Sequence, residues 1–214
     1  MRTLGEMIDE VRHNTNNTDD SRHSDTAIIR FFNTAQRQVQ RLIFNSNPTT
    51  NIFTRDCILT YSSGVKKYSL PSDLYARGAI IAVFPVRTGN IESEPIQKIY
   101  EREQTNKAGY YVKDKYIYLS SGAVGEAVSQ IRVSYVKRLA PFSSTSDISE
   151  LPDETEDFLT SFVERKINAV DSSSDVQNSQ FFTQEEKEEL AELFSDTSND
   201  IKYPVISDET YVTY

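Results

Sequence analysis

Val39-Gln40-Arg41-Leu42-Ile43-Phe44-Asn45-Ser46-Asn47-Pro48-Thr49-Thr50-Asn51-Ile52-Phe53-Thr54-Arg55-Asp56-Cys57-Ile58-Leu59-Thr60-Tyr61 holds the change of period on which the fold turns. Its first part continues an apolar stripe of Ile28, Ile29, Phe32, Ala35, Val39, Leu42 and Ile43, with Arg30, Gln36, Arg37, Gln40 and Arg41 off the stripe. That spacing predicts an amphipathic helix capped by Ser24 or Asp25 and stopped by residues 45–48. Past Pro48 the period falls to two, and β-favouring residues gather at 51–61, 66–70, 77–86, 110–119 and 128–137. Ile131, Val133 and Tyr135 alternate with Gln130, Arg132 and Ser134, the pattern of a half-buried strand. A hairpin is predicted around Lys113-Asp114-Lys115, and the short links favour antiparallel pairing.

Working outward, helical spacing returns on both sides of this β region. Thr3 and Glu6 form a capping box, and Leu4, Met7, Ile8 and Val11 share one face of a helix that ends near His13. Residues 14–24 are rich in Asn, Thr, Asp and Ser and read as a polar loop. Leu151-Pro152-Asp153-Glu154 opens a helix with Phe158, Leu159, Phe162, Val163, Ile167 and Val170 on its apolar face. After a serine-rich break, a Thr183/Glu186 cap opens a last helix carrying Leu190, Ala191, Leu193 and Phe194. Such short helices are unstable alone and must bury their faces against a partner. The expectation is an α+β chain: a helical module of residues 1–48 and 150–198, an inserted antiparallel β-sheet or sandwich domain of residues 49–149, and an extended tail of residues 199–214.

Composition narrows the class. The 214 residues are 37% hydrophobic and 26% charged, with 12 Tyr and 11 Phe, which suits a folded chain with a core. Seven glycines exclude a collagen, and the single Cys57 excludes a disulfide scaffold. Glu6, Asp9 and Glu10 occupy the place of a signal's apolar stretch, and the run 79–86 is short and broken by Pro85, so no membrane association is expected. The net charge of −9 is unevenly divided: residues 150–214 hold 17 acids against 4 bases, leaving 1–149 at +4.

Catalytic chemistry is hard to seat. His13 and His23 border the polar loop and read as solvated side chains; Asp19, Asp20 and Asp25 near them lack the ligand spacing and central glycine of a calcium loop. Cys57 lies in an apolar-leaning run with no second cysteine, and the scattered glycines match neither the P-loop nor the dinucleotide fingerprint. No catalytic residue, metal or cofactor is expected, and an enzyme is not. Lys107, Lys113 and Lys115 interleave with Tyr110, Tyr111, Tyr116 and Tyr118, a mixture used to stack single-stranded nucleic acid, but cross-strand packing explains the tyrosines without a ligand and the acidic overall charge disfavours gripping a phosphate backbone. Glu185, Glu186, Glu188, Glu189 and Glu192 make an acidic helix: either a solvated face or a channel lining that repels DNA and lets it slide. The run with Tyr203, Val205, Ile206, Tyr211, Val212 and Tyr214 is apolar enough to bind a partner.

Three stretches, in order, carry a family resemblance: Lys67-Tyr68-Ser69-Leu70-Pro71-Ser72-Asp73-Leu74 leading to Ala79-Ile80-Ile81-Ala82-Val83; Gly109-Tyr110-Tyr111-Val112 turning into Tyr116-Ile117-Tyr118-Leu119; and Ile131-Arg132-Val133-Ser134-Tyr135 followed by Leu151-Pro152-Asp153-Glu154. They resemble the head-to-tail adaptor, or connector and neck ring, proteins of tailed bacteriophages, including the podovirus tail tubular protein A class. The motif positions are Tyr68, Leu70, Pro71, Asp73, Leu74, Tyr111, Ile117, Leu119, Leu151, Pro152 and Asp153. The resemblance implies a virion structural protein, assembled in the host cytoplasm as a dodecameric ring at the head–tail junction. Its partners would be copies of itself, the portal protein and the downstream tail or nozzle protein, with double-stranded DNA passing through. A neighbouring neck, tail or completion protein is the alternative within the virion, and a nucleic-acid-binding module using the Tyr/Lys hairpin the alternative outside it.

Overall fold

A computed structural model describes residues 1–17, 22–46, 51–76, 78–172 and 182–195. The chain has an α+β fold and divides into two compact units: Met1–Ile52 with Ala140–Tyr214, and Phe53–Leu139. The expected β insert of 49–149 thus differs at its far end. Residues 140–149 belong with the helices because their backbone is tied there: Leu4 N–H donates to Asp147 O (2.8 Å) and Gly5 N–H to Thr145 O (2.7 Å).

In the helical unit, α1 (Leu4–Asn14), α2 (Asp25–Ser46), α3 (Glu156–Asp171) and α4 (Gln184–Ser195) form where the apolar spacing places them. A short 3-10 turn, Asp153–Thr155, precedes α3. Helix α3 packs on α1 and α2, and α4 packs on α2. Leu4, Met7, Val11, Phe32, Val39, Leu159, Phe162 and Ile167 are fully buried between them. Phe182, before α4, is buried and lies 5.0 Å from Phe162, centroid to centroid. Both capping boxes form, Thr3 with Glu6 and Thr183 with Glu186.

Two polar side chains of α2 depart from simple periodicity. Gln36 and Gln40, off the predicted stripe, are buried. Gln36 Nε2 reaches Ala140 O (2.9 Å), and neighbouring Asn33 brackets Phe142, donating to its carbonyl (3.0 Å) and accepting from its N–H (2.7 Å). Amides on α2 therefore hold the 140–142 backbone, whose polar groups need partners wherever water is excluded. His23 is likewise buried, against the expectation of a solvated loop: it hydrogen-bonds Asp171 Oδ1 (2.9 Å) at the end of α3, while His13 stays exposed.

Arg2 fastens α1 to the start of α3. Its Nε donates to Glu156 (2.8 Å) and its Nη2 to Asp157 (2.7 Å), and it also pairs with Glu10. Glu156 is only 5% exposed, so loss of its partner would leave a buried carboxylate uncompensated. Because Arg2 itself is one-third exposed, Arg2→Ala is expected to cost about 2 kcal/mol, less than for a fully buried pair. Urea unfolding measures this, and adding Glu156→Gln should recover part of the loss.

The β unit holds two sheets. A four-stranded sheet, in the order β1-β7-β3-β4, joins β1 (Thr54–Thr60), β3 (Ile80–Arg87), β4 (Ile91–Glu92) and β7 (Val128–Val136). A three-stranded sheet, β2-β6-β5, joins β2 (Lys67–Ser69), β5 (Tyr110–Lys113) and β6 (Tyr116–Leu119). All these pairings are antiparallel. Ile131, Val133 and Tyr135 are buried and Arg132 lies on the other face, as the alternation predicts. Ser134 departs from it: although off the apolar face it is buried, donating to Asp56 (2.5 Å). Residues 93–99 link the sheets: Ile96 N–H donates to Val83 O (2.7 Å) and Ile99 N–H to Tyr110 O (2.8 Å).

Candidate functional site

The Leu-Pro step after β2 is built around Asp73. Its carboxylate accepts from the Tyr135 hydroxyl of β7 (2.7 Å) and from Arg55 of β1 (3.0 Å). Burial pushes the Asp73 carboxyl up, but the hydrogen bonds from Tyr135 and Arg55 outweigh it and leave the group below its ordinary range. Burial, then the adjacent carboxylate, drives the Tyr135 phenol well above its ordinary range. Tyr68 is buried with its hydroxyl on Val65 O (2.9 Å), and Leu74 is buried beside β7, forming an isolated bridge to Lys137. The step is thus a clasp between loop and sheet.

Leu70 and Pro71 of the same step are half-buried and line a cleft of about 540 Å³ with Tyr75, Tyr116, Lys115 and Arg138. Register creates this cleft. Pairing of β2 with β6 lets Leu70 N–H donate to Lys115 O (2.9 Å), which brings the 70–76 loop against the β5–β6 turn at Asp114, where φ is +55°. Sequence reading did not find the cleft, because neither stretch shows alone that it faces the other; the registered pairing of Tyr68 with Ile117 is the signal that would have.

The hairpin brings its tyrosines together but engages most of their lysine neighbours. Tyr111 and Tyr118 stack at 5.0 Å, and Tyr116 meets Tyr118 edge-on. Lys67 Nζ sits 3.8 Å from the Tyr116 ring centre, a cation–π contact. Lys113 pairs with Glu101 and Lys107 with Glu103, each at 2.6 Å, and the Tyr111 hydroxyl donates to Gln104 (2.9 Å). Tyr110, Tyr111, Ile117 and Leu119 are buried. An open stacking platform needs exposed rings and uncommitted cations, and of the hairpin lysines only Lys115 lacks an ion-pair partner among the described residues.

The acidic helix α4 is not uniform. Glu185, Glu188, Glu189 and Glu192 are exposed. Glu186 instead turns inward: Arg165 Nη2 of α3 donates to both its oxygens (2.6 and 2.8 Å), and Thr183 N–H donates to it (2.7 Å). Burial raises the Glu186 carboxyl, the Arg165 and Thr183 hydrogen bonds lower it, and the net position is low. Glu186 therefore anchors the helix. Of the last motif, Leu151 is buried, Pro152 half-buried and Asp153 exposed. Tyr203, Val205, Ile206, Tyr211, Val212 and Tyr214 lie outside the described residues, as do Asp19 and Asp20. Cys57 is half-buried, and burial pushes its thiol up, away from a reactive thiolate. No helix among the described residues is long and apolar enough to cross a membrane.

The chain belongs to the SU10 adaptor protein family, whose model matches residues 2–207. It is accordingly a phage adaptor, a structural component of the virion with a head–tail role, in a class that is not enzymatic. No curated protein matches it.

Proposed function

We propose that the protein forms a dodecameric ring between the portal and the tail, joining the two and letting the genome pass, as the podovirus tail tubular A class is understood to do. The observation that carries this reading is the adaptor-family match over residues 2–207. Copies of one chain close a ring when a patch on each meets a different patch on the next, and the rotation closes. The exposed Glu185, Glu188, Glu189 and Glu192 supply the channel-facing charge. Double-stranded DNA carries about one negative charge per 1.7 Å, so such a lining repels it and keeps it mobile.

The terminal segment with Tyr203, Val205, Ile206, Tyr211, Val212 and Tyr214 is the partner-binding element in this reading. A chain truncated after Asn199 is expected to keep its melting transition yet lose ring formation and association with the portal protein. Negative-stain electron microscopy of the truncated and full-length proteins, each mixed with portal, measures this. Rings of unchanged yield from the truncated chain would refute the assigned role.

A further inference from the structure

We propose that the free edge of β1 pairs with β1 of a second copy of this chain, antiparallel and centred on Ile58, so that the four-stranded sheets of the two copies join into one. The edge is defined by the ladder on its other side. Strand β1 pairs with β7 from Thr54↔Val136 to Thr60↔Gln130, and in that register the Tyr61 N–H donates to Ser129 O (2.9 Å) and the Lys137 N–H to Phe53 O (2.8 Å). Main-chain groups of successive residues point to opposite sides of a strand. Arg55, Cys57, Leu59 and Tyr61 therefore turn theirs to β7, and Asp56, Ile58 and Thr60 turn theirs away from it. Strand β1 is the last on its side of the sheet, and among the described residues no main-chain partner meets the outward N–H and C=O groups of these three.

The side chains of β1 fit a second copy of the same strand. The apolar face of the sheet runs out at β1: Val133 and Ile131 are 0% and 1% exposed, while Cys57 and Leu59, paired with them, are only half-buried. Ile58, on the other face, is 61% exposed. An open edge with exposed apolar residues is a template for another strand unless charge blunts it. Here both charges of β1 are neutralised inside the β unit, Asp56 by Arg132 (2.6 Å) and Arg55 by Asp73 (3.0 Å). Centred on Ile58, an antiparallel copy sets Leu59 beside Cys57 and Cys57 beside Leu59, extending the apolar face, and stacks Ile58 on Ile58 across the two-fold axis. Asp56 meets Thr60 and Arg55 meets Tyr61, so no like charges face one another. The outward groups of Asp56, Ile58 and Thr60 then exchange hydrogen bonds with those of Thr60, Ile58 and Asp56. Such a contact is isologous and two-fold, so it is not the contact between neighbours of a dodecameric ring. It is an association of the free chain, and it stands or falls apart from the ring reading.

The test uses the native Cys57 of the full-length protein. Leu59→Cys places a second thiol directly opposite Cys57 of the other copy, at a Cα separation of about 4.5 Å that a disulfide can span. With copper phenanthroline as oxidant, L59C is expected to give a covalent dimer on non-reducing gels. C57S/L59C and the parent chain lack an opposed pair of thiols and should give none. Sedimentation equilibrium of the parent chain should show a monomer–dimer equilibrium. Ile58→Lys sets two ammonium groups at the axis, and Ile58→Pro deletes one outward N–H while leaving the β7 ladder intact; each should weaken the dimer by about ten-fold. Ile58 is exposed, so unchanged melting curves will show that the fold is retained. A parent chain that sediments as a monomer at every concentration, a dimer indifferent to both Ile58 substitutions, or equal crosslinking of L59C and C57S/L59C would overturn the proposal. Ring assembly with the portal is read separately, by electron microscopy, and none of these outcomes decides it.

Discussion

Gly109→Ala is expected to lower the unfolding free energy by about 3 kcal/mol, the upper part of the range for overpacking a closed site. A Cβ at this position would lie 2.5 Å from Ile99 Cγ2 and 2.6 Å from the Gln97 carbonyl oxygen. The methyl of Ile99 can rotate, but the carbonyl cannot retreat without cost, because it accepts the Tyr110 N–H (2.9 Å) that starts β5. Gly109 N–H also donates to Ser120 Oγ (2.8 Å), and Ser120 N–H returns a bond to Gly109 O (2.9 Å). Displacing the backbone would therefore break the pairing of residues 97–99 with β5 together with the Ser120 contacts. Gly125, which has open space around a built Cβ, is the control: Gly125→Ala should fall within about 0.5 kcal/mol of the parent. Denaturant midpoints compare the two, and equal midpoints would show that the 97–110 contact is slack.

Asp73→Ala should cost about 2–3 kcal/mol, because it strips the acceptor from a Tyr135 hydroxyl in a residue 2% exposed and from Arg55 at once. Tyr135→Phe leaves Asp73 its Arg55 partner and should cost less, about 1–2 kcal/mol. The carboxyl's pKa is lower folded than its ordinary value of 3.8, so it stabilises the fold above that value. As pH falls through the folded pKa, the native state takes up the proton and that stabilisation disappears. Asp73→Asn should accordingly flatten the acid limb of stability against pH below about 3.8 and leave its neutral-pH slope alone. An unchanged acid limb would show that other carboxylates govern acid unfolding.

What the sequence made legible was local. The α2 stripe, the Thr3/Glu6 and Thr183/Glu186 boxes and the Ile131-Val133-Tyr135 alternation each need only neighbours within a turn or a strand, and all appear in the structure. Strand β4, Ile91–Glu92, is too short to show a period. The roles of Gln36, His23 and Arg2 are invisible to local pattern because their partners lie 104, 148 and 154 residues away, and nothing nearby marks which polar side chain will meet a distant backbone or carboxylate. The same holds at the candidate site. Asp73 was marked by resemblance, but its clasp with Tyr135 spans 62 residues and only the paired sheet reveals it. A run of glutamates in the sequence gives no sign that Arg165 draws Glu186 away from the others.

The β unit starts at Phe53 and stops at Leu139, and the Phe53 carbonyl accepts the Lys137 N–H at 2.8 Å. Its own sheet thus pins its two ends about one interstrand spacing apart, roughly 5 Å. Whatever happens between those ends, the flanking segments need bridge only that small gap. Such an arrangement closes the β unit on itself at its point of insertion, so that a change in the length of an inner strand or loop need not move the points at which the chain enters and leaves it.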